Sequence, residues 1–161
     1  MPGLEEEIGQ LLRRLNWTLG TVESATGGLI AHRITGVAGS SDYFQGSIVS
    51  YSNEIKMRCV GVRRDTLATN GAVSPQVAEE MALGGRRVLN VDICISDTGI
   101  AGPGGATPGK PVGLFYTGMA DRDGYSSKKW LFTGSREENR AAVAEAALQW
   151  LRDYLVSIAK S

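Results

Sequence analysis

Leu4, Ile8, Leu11, Leu12 and Leu15 recur at three- and four-residue spacing, which predicts an amphipathic helix over residues 4–16. Residues 17–22 then read as a buried strand, and the pattern returns to helical spacing from about Gly27 to Val37, with Leu29, Ile30 and Ile34 on the apolar side. Gly39-Ser40-Ser41 interrupts it. Residues 43–51 alternate as a second strand, and a short helix carrying Lys56 follows and ends before Gly61. Ser74-Pro75 is a helix start, serine as N-cap and proline in the first turn; that helix runs to about Asn90 although Gly84-Gly85 weakens its middle. Residues 91–96 have the length of a fully buried strand. A glycine- and proline-rich loop at 99–111 leads to a hairpin, with strands at 112–119 and 128–132 around Asp123-Gly124. Ser135 and Glu138 form a capping-box pattern that opens a final helix to about Ile158. Alternation of helices and strands predicts an α/β fold: a three-layer α/β/α sandwich with a mixed, mostly parallel sheet of about five strands.

Composition narrows the functional classes. The chain has 161 residues, the size of one domain, and a single domain over 1–161 is expected. Lysine plus arginine equals aspartate plus glutamate at 17 each, so nothing points to a nucleic-acid groove or an anionic membrane surface. Cys59 and Cys94 form neither a disulfide framework nor a zinc pattern, which suits a reducing compartment. Residues 1–16 lack a signal-peptide pattern, and no apolar run approaches the roughly 20 residues of a membrane span. A cytoplasmic protein is the expectation.

The chemistry concentrates at strand ends. Glu23-Ser24-Ala25-Thr26-Gly27-Gly28 joins the first strand to the second helix, where backbone N–H groups converge. Ser24 there is either a nucleophile or, like Thr26, a helix cap. Tyr51-Ser52-Asn53-Glu54-Ile55-Lys56 follows the second strand. An ordinary lysine, with a pKa of about 10.4, is protonated at neutral pH, so Lys56 can deprotonate Ser24 only if burial or a neighbouring cation lowers that value by roughly 3 units. Tyr51 either assists or packs on the sheet. Glu23 either orients Lys56 or stays as a buried partner for it. The segment from Asp97 to Gly105, with Thr98, Gly99 and Gly102, reads as a ligand-facing loop that is neither a Walker loop nor a dinucleotide fingerprint. Arg136 and Arg140 stand in the first turns of the last helix, against the dipole, in positions suited to clamping a phosphate, although a solvated helix face is the commoner role for an arginine placed like Arg140. His32 is the only histidine, which argues against a Ser-His-Asp triad or a histidine metal site.

Six motifs, in order, carry a resemblance. Glu-Ser-x-Thr-Gly-Gly at 23–28, Tyr-Ser-Asn-x-x-Lys at 51–56, Gly-Ala-Val-Ser at 71–74, Thr-Gly-Ile-Ala-Gly-Pro at 98–103, Lys-Pro-Val-Gly at 110–113 and the helix start at Arg136 resemble the CinA C-terminal domain family, over essentially the whole chain. The resemblance implies a nicotinamide-nucleotide amidohydrolase of the single-domain form, a homodimer that converts nicotinamide mononucleotide to nicotinic acid mononucleotide and ammonia without metal or cofactor. It implies Ser24 as nucleophile, Lys56 as base and Tyr51 as assistant, with functional roles at Thr98 and Arg136. Combined with the residue reading, the amides of Thr26, Gly27 and Gly28 would form the oxyanion hole. Arg136, Arg140 and the 99–105 loop would hold the phosphate. The family's association with competence and DNA repair leaves two other roles open: an interaction module, or a pyridine-nucleotide sensor that keeps the pocket. Asp97 departs from the family pattern, which more usually has an apolar or small residue there; its charge would repel a phosphate or alter the balance at Lys56.

Overall fold

The computed structural model describes residues 1–160. Its elements are α1 (Leu4–Leu15), β1 (Leu19–Glu23), α2 (Leu29–Thr35), a 3-10 turn (Ser40–Asp42), β2 (Phe44–Val49), α3 (Asn53–Val60), α4 (Arg64–Asn70), α5 (Pro75–Leu89), β3 (Ile93–Gly99), β4 (Leu114–Asp121), β5 (Gly124–Leu131) and α6 (Arg136–Ala159). The five strands form one sheet in the order β2-β1-β3-β4-β5. β1 is parallel to β2 and β3, while β4 is antiparallel to both β3 and β5, so four of the five strands run the same way. No helix among the described residues is long and apolar enough to cross a membrane.

Strand alternation sorts the core into two layers. Leu19, Ile93 and Ile95 face one side, with Ile8, Leu12, Leu148 and Leu151 from α1 and α6. Val22 and Cys94 face the other, with Val60, Val77 and Met81. The chain after β1 turns into α2, on the α6 side, whereas the chain after β2 turns into α3, which packs on α5. Two neighbouring parallel strands thus send their helices to opposite faces, and a crevice opens at their carboxyl ends, where ligand sites of open α/β sheets form.

Several boundaries differ from the sequence expectation. Gly27 and Gly28 have φ of +61° and +106°, outside the helical region, so α2 begins only at Leu29. β3 extends to Gly99, which puts Asp97 and Thr98 inside the sheet, paired across to Thr117 and Tyr116, rather than in a loop. β5 starts at Gly124, immediately after the turn, and stops before Phe132. Helix α4 had no sequence expectation; its only buried residue is Thr66, so it lacks the apolar stripe that reveals a helix.

Gly84 and Gly85 weaken α5 locally but serve its packing. A Cβ on Gly84 would lie 1.7 Å from the Val60 carbonyl oxygen, and one on Gly85 would lie 2.2 Å from Val22 Cγ2 and 2.7 Å from Cys94 Sγ. Gly84→Ala is therefore expected to destabilise the protein by about 3 kcal/mol, at the upper end of overpacking costs. Gly104→Ala, which meets nothing within 4 Å, should stay within about 0.5 kcal/mol of the parent. Urea unfolding of both variants measures the contrast.

Candidate active site

Ser52 caps α3 by accepting from the Ile55 N–H at 3.2 Å, which places Lys56 on the inward face of the first turns. Lys56 is only 1% exposed. Its Nζ lies 3.0 Å from Ser24 Oγ and 2.9 Å from the Tyr51 carbonyl oxygen, with no carboxylate in ion-pair contact among the described residues. Burial pulls the amine down to about 8, and the charge of Asp97 opposes that shift. The Tyr51 carbonyl can only accept, so it takes one N–H of the amine and leaves the nitrogen lone pair available to the Ser24 hydroxyl.

The turn that carries Ser24 is held through its polar backbone atoms on both sides. Glu23, fully buried, ends β1 with its carboxylate under the start of α2. It accepts from the N–H groups of Gly28 (3.0 Å), Ile30 (2.9 Å) and Ala31 (2.9 Å), and lies within hydrogen-bond distance of the Thr26 hydroxyl and of the mutually bonded Thr21 and Ser47 hydroxyls. Glu23 takes neither of the two roles open to it: it caps the start of α2 and makes no hydrogen bond or ion pair with Lys56. Asp97, also fully buried, accepts from the Ser24 N–H at 2.9 Å and from the Thr26 N–H at 3.2 Å, and lies 2.5 Å from Thr26 Oγ1. Burial pushes its carboxyl up to about 6 despite those hydrogen bonds. Arg140 donates from Nε to the Ala25 carbonyl and from Nη2 to the Thr26 carbonyl, both at 2.9 Å.

These bonds revise the expected oxyanion hole. The Thr26 N–H goes to Asp97, the Gly27 N–H to the Ser24 carbonyl and the Gly28 N–H to Glu23, so none of the three is free to meet an oxyanion. Ala25, directly after the serine, has the one N–H of the turn that no hydrogen bond takes up among the described residues. A donor in that position relative to a nucleophile is geometrically suited to the developing charge.

Ser24, Ala25, Tyr51, Asn53, Lys56, Ala72, Val73, Thr98, Gly99, Ala101 and Arg136 enclose a cleft of about 180 Å³. Thr98 donates to the Ala72 carbonyl at 2.8 Å, which ties β3 to the segment before α5. Arg136 donates from Nη1 to the Gly102 carbonyl at 2.9 Å, and its Nη2 stands 3.5 Å from the Tyr51 hydroxyl, so arginine and phenol arch over the cleft mouth. The Tyr51 phenol thus reaches Arg136, while it is the Tyr51 carbonyl that meets Lys56. Arg140 is spent on the nucleophile turn and does not line the cleft. Sequence reasoning had passed over Asn53, which lines the cleft from the start of α3, and Asn139, whose amide donates to the Ala101 and Gly134 carbonyls and anchors the 99–105 loop to α6. Asn53 lies within the 51–56 motif; a buried asparagine at a helix start gives Asn139 no comparable signal. The described residues hold no cluster of histidine, cysteine, aspartate or glutamate suited to a metal ion.

The CinA C-terminal domain family model matches residues 2–155. A CinA-like protein of Geobacter sulfurreducens is 47% identical over 154 residues, and one of a Sulfurihydrogenibium species is 45% identical over 154 residues; each alignment covers 96% of this chain. The chain spans only 37% and 38% of the length of those two relatives. Among solved structures, a competence damage-inducible protein A from Klebsiella pneumoniae superposes with a TM-score of 0.92 at 32% identity, covering 95% of each chain. A competence/damage inducible protein from Agrobacterium tumefaciens is similar at 38% identity and a TM-score of 0.83, covering 94% of this chain and 95% of that one.

Glu23→Ala would strip three N–H groups at the α2 start of their acceptor, and each unmet buried donor costs about 1–3 kcal/mol. A loss of at least about 3 kcal/mol is expected in chemical denaturation.

Proposed function

The chain belongs to the CinA C-terminal domain family, and from that premise we propose that it is a serine–lysine amidohydrolase acting on nicotinamide mononucleotide. The observation that carries this reading is the buried Lys56 amine 3.0 Å from the Ser24 hydroxyl, at the floor of a cleft. With a pKa of about 8, roughly a tenth of the amine is uncharged at neutral pH, against well under a thousandth for an ordinary lysine.

Ser24 Oγ attacks the carboxamide carbon and passes its proton to Lys56 Nζ. The carbonyl π electrons move to oxygen, which takes the Ala25 N–H. When the tetrahedral intermediate collapses, the C–N bond breaks and Lys56 returns the proton to the leaving nitrogen, so ammonia departs and the acyl group stays on Ser24. Water, deprotonated by the same amine, then attacks the ester, and the carboxylic acid leaves as Ser24 regains its hydrogen. Lysine serves as base and acid in turn, and its two contacts, one hydroxyl and one carbonyl, suit both states. Arg136 at the cleft mouth is the group for the substrate phosphate, and Tyr51 keeps its guanidinium over the opening.

Incubation with nicotinamide mononucleotide should release ammonia and nicotinic acid mononucleotide in equal amounts. Ser24→Ala and Lys56→Ala should each lower the rate at least about a thousandfold, the scale of losing a member of a nucleophile–base pair. Equal ammonia from parent and Ser24→Ala would refute the reading. The base must be uncharged, so the rate should climb tenfold per pH unit on the acid side and level off above about 8. A plateau that begins near pH 5 would exclude the lysine.

A further inference from the structure

Two fully buried carboxyl groups meet at one hydroxyl. Thr26 Oγ1 lies 2.5 Å from Asp97 Oδ1 and 2.7 Å from Glu23 Oε1. A hydroxyl has one hydrogen and can donate to one of them. With both carboxylates ionised, the remaining contact would set lone pair against lone pair at hydrogen-bond distance, with no water between them. One further proton on the pair removes that conflict.

The other contacts say where it sits. The Glu23 carboxylate has four donors besides Thr26, three N–H groups at the start of α2 and one hydrogen from the mutually bonded Thr21 and Ser47 hydroxyls, and such an environment favours the charged form. Asp97 has only the N–H groups of Ser24 and Thr26. The geometry points to Asp97 as a positioning residue that shares a proton with Glu23 through the Thr26 hydroxyl at acid pH and, once ionised, sets the pH at which Lys56 becomes a base. In the protonated arrangement Asp97 donates to Thr26 Oγ1, which donates to Glu23 Oε1. When Asp97 loses its proton, its charge lies against the N–H of Ser24, the residue whose hydroxyl Lys56 meets, and keeps the Lys56 ammonium protonated to higher pH. Burial, with the Glu23 charge adding to it, raises the Asp97 carboxyl to about 6 against the hydrogen bonds from Thr26 and Ser24, which favour its charged form.

The charged groups around Asp97 are Glu23 from β1, Lys56 from α3 and Arg140 from α6, whose guanidinium is bound to the Ala25 and Thr26 carbonyls. β4 presents the uncharged Thr117 opposite. On α2, Arg33 is engaged with Glu5 and Glu145. α5 lies on the other face of the sheet, where Ser96 bonds its Ala78 carbonyl.

The coupling to Lys56 rests on that lysine being the base, so the test has one arm that needs no turnover. In protein with carbon-13 in its aspartate side chains, the Asp97 carboxyl signal, assigned through its own backbone, is followed against pH. A midpoint at about 6 or above is expected, and Thr26→Val should move it down by a unit or more because the acceptor for the acid's proton is gone, while Thr26→Ser leaves it in place. A midpoint in the ordinary carboxylate range, or an upward move in Thr26→Val, overturns the shared proton. The second arm is the pH–rate profile of Asp97→Asn. Its acid limb should shift to lower pH by about a unit, a tenfold gain in relative rate at a given pH on that limb; an unchanged limb overturns the coupling. If no variant and no parent protein turns over the nucleotide, the proposed reaction fails while the carbon-13 titration still decides the shared proton.

Discussion

A lysine amine sealed in protein, with a hydroxyl and a carbonyl for company and no carboxylate in contact, is the constraint on which the rest of this molecule depends. Removing an ammonium from water is costly, and the cheapest escape is loss of the proton. The sheet order makes this burial possible. Because β1 and β2 are neighbours whose helices depart to opposite faces, the serine after one and the lysine after the other meet in the crevice between them. A nucleophile and its base need not be near in sequence when adjacent parallel strands deliver them to the same edge.

The polar groups behind that pair divide their labour. Glu23 is spent on the α2 amides, Asp97 on the amides of Ser24 and Thr26, and Arg140 on the carbonyls of Ala25 and Thr26. The nucleophile turn is thus fixed through both its donors and its acceptors, and of its N–H groups only that of Ala25 is left without a partner among the described residues. Such preorganisation lets a short turn act as a rigid electrostatic fixture. The Asp97 charge opposes the effect of burial and so keeps Lys56 from being driven all the way to an inert amine.

Much of this was legible in the residues. The periodicity of α1, the Ser74-Pro75 start of α5 and the Ser135/Glu138 capping box each carry a local physical signature, and each appears where it reads. The pairing of Ser24 with Lys56 was legible as two motifs at strand ends. What could not be read was long-range bookkeeping. The Thr26 backbone donor looked free because Asp97, which consumes it, lies 71 residues away, while those of Gly27 and Gly28 turn back within the segment to the Ser24 carbonyl and to Glu23. Arg140 looked like a phosphate ligand because its two carbonyl acceptors lie 114 and 115 residues away in sequence. The glycines at 84 and 85 read as a flaw in a helix and turned out to admit a backbone carbonyl and a strand side chain. Helix α4, short and without an apolar stripe, offered no periodic signal at all.

The most direct test looks at the nitrogen itself. With nitrogen-15 in its lysine side chains, the resting protein can be titrated while the Lys56 Nζ signal, identified by its loss in Lys56→Arg, is followed. A midpoint at about 8 is the predicted result; a midpoint at the ordinary lysine value of about 10.4 would mean that the amine is a solvated cation, and the account would be contradicted.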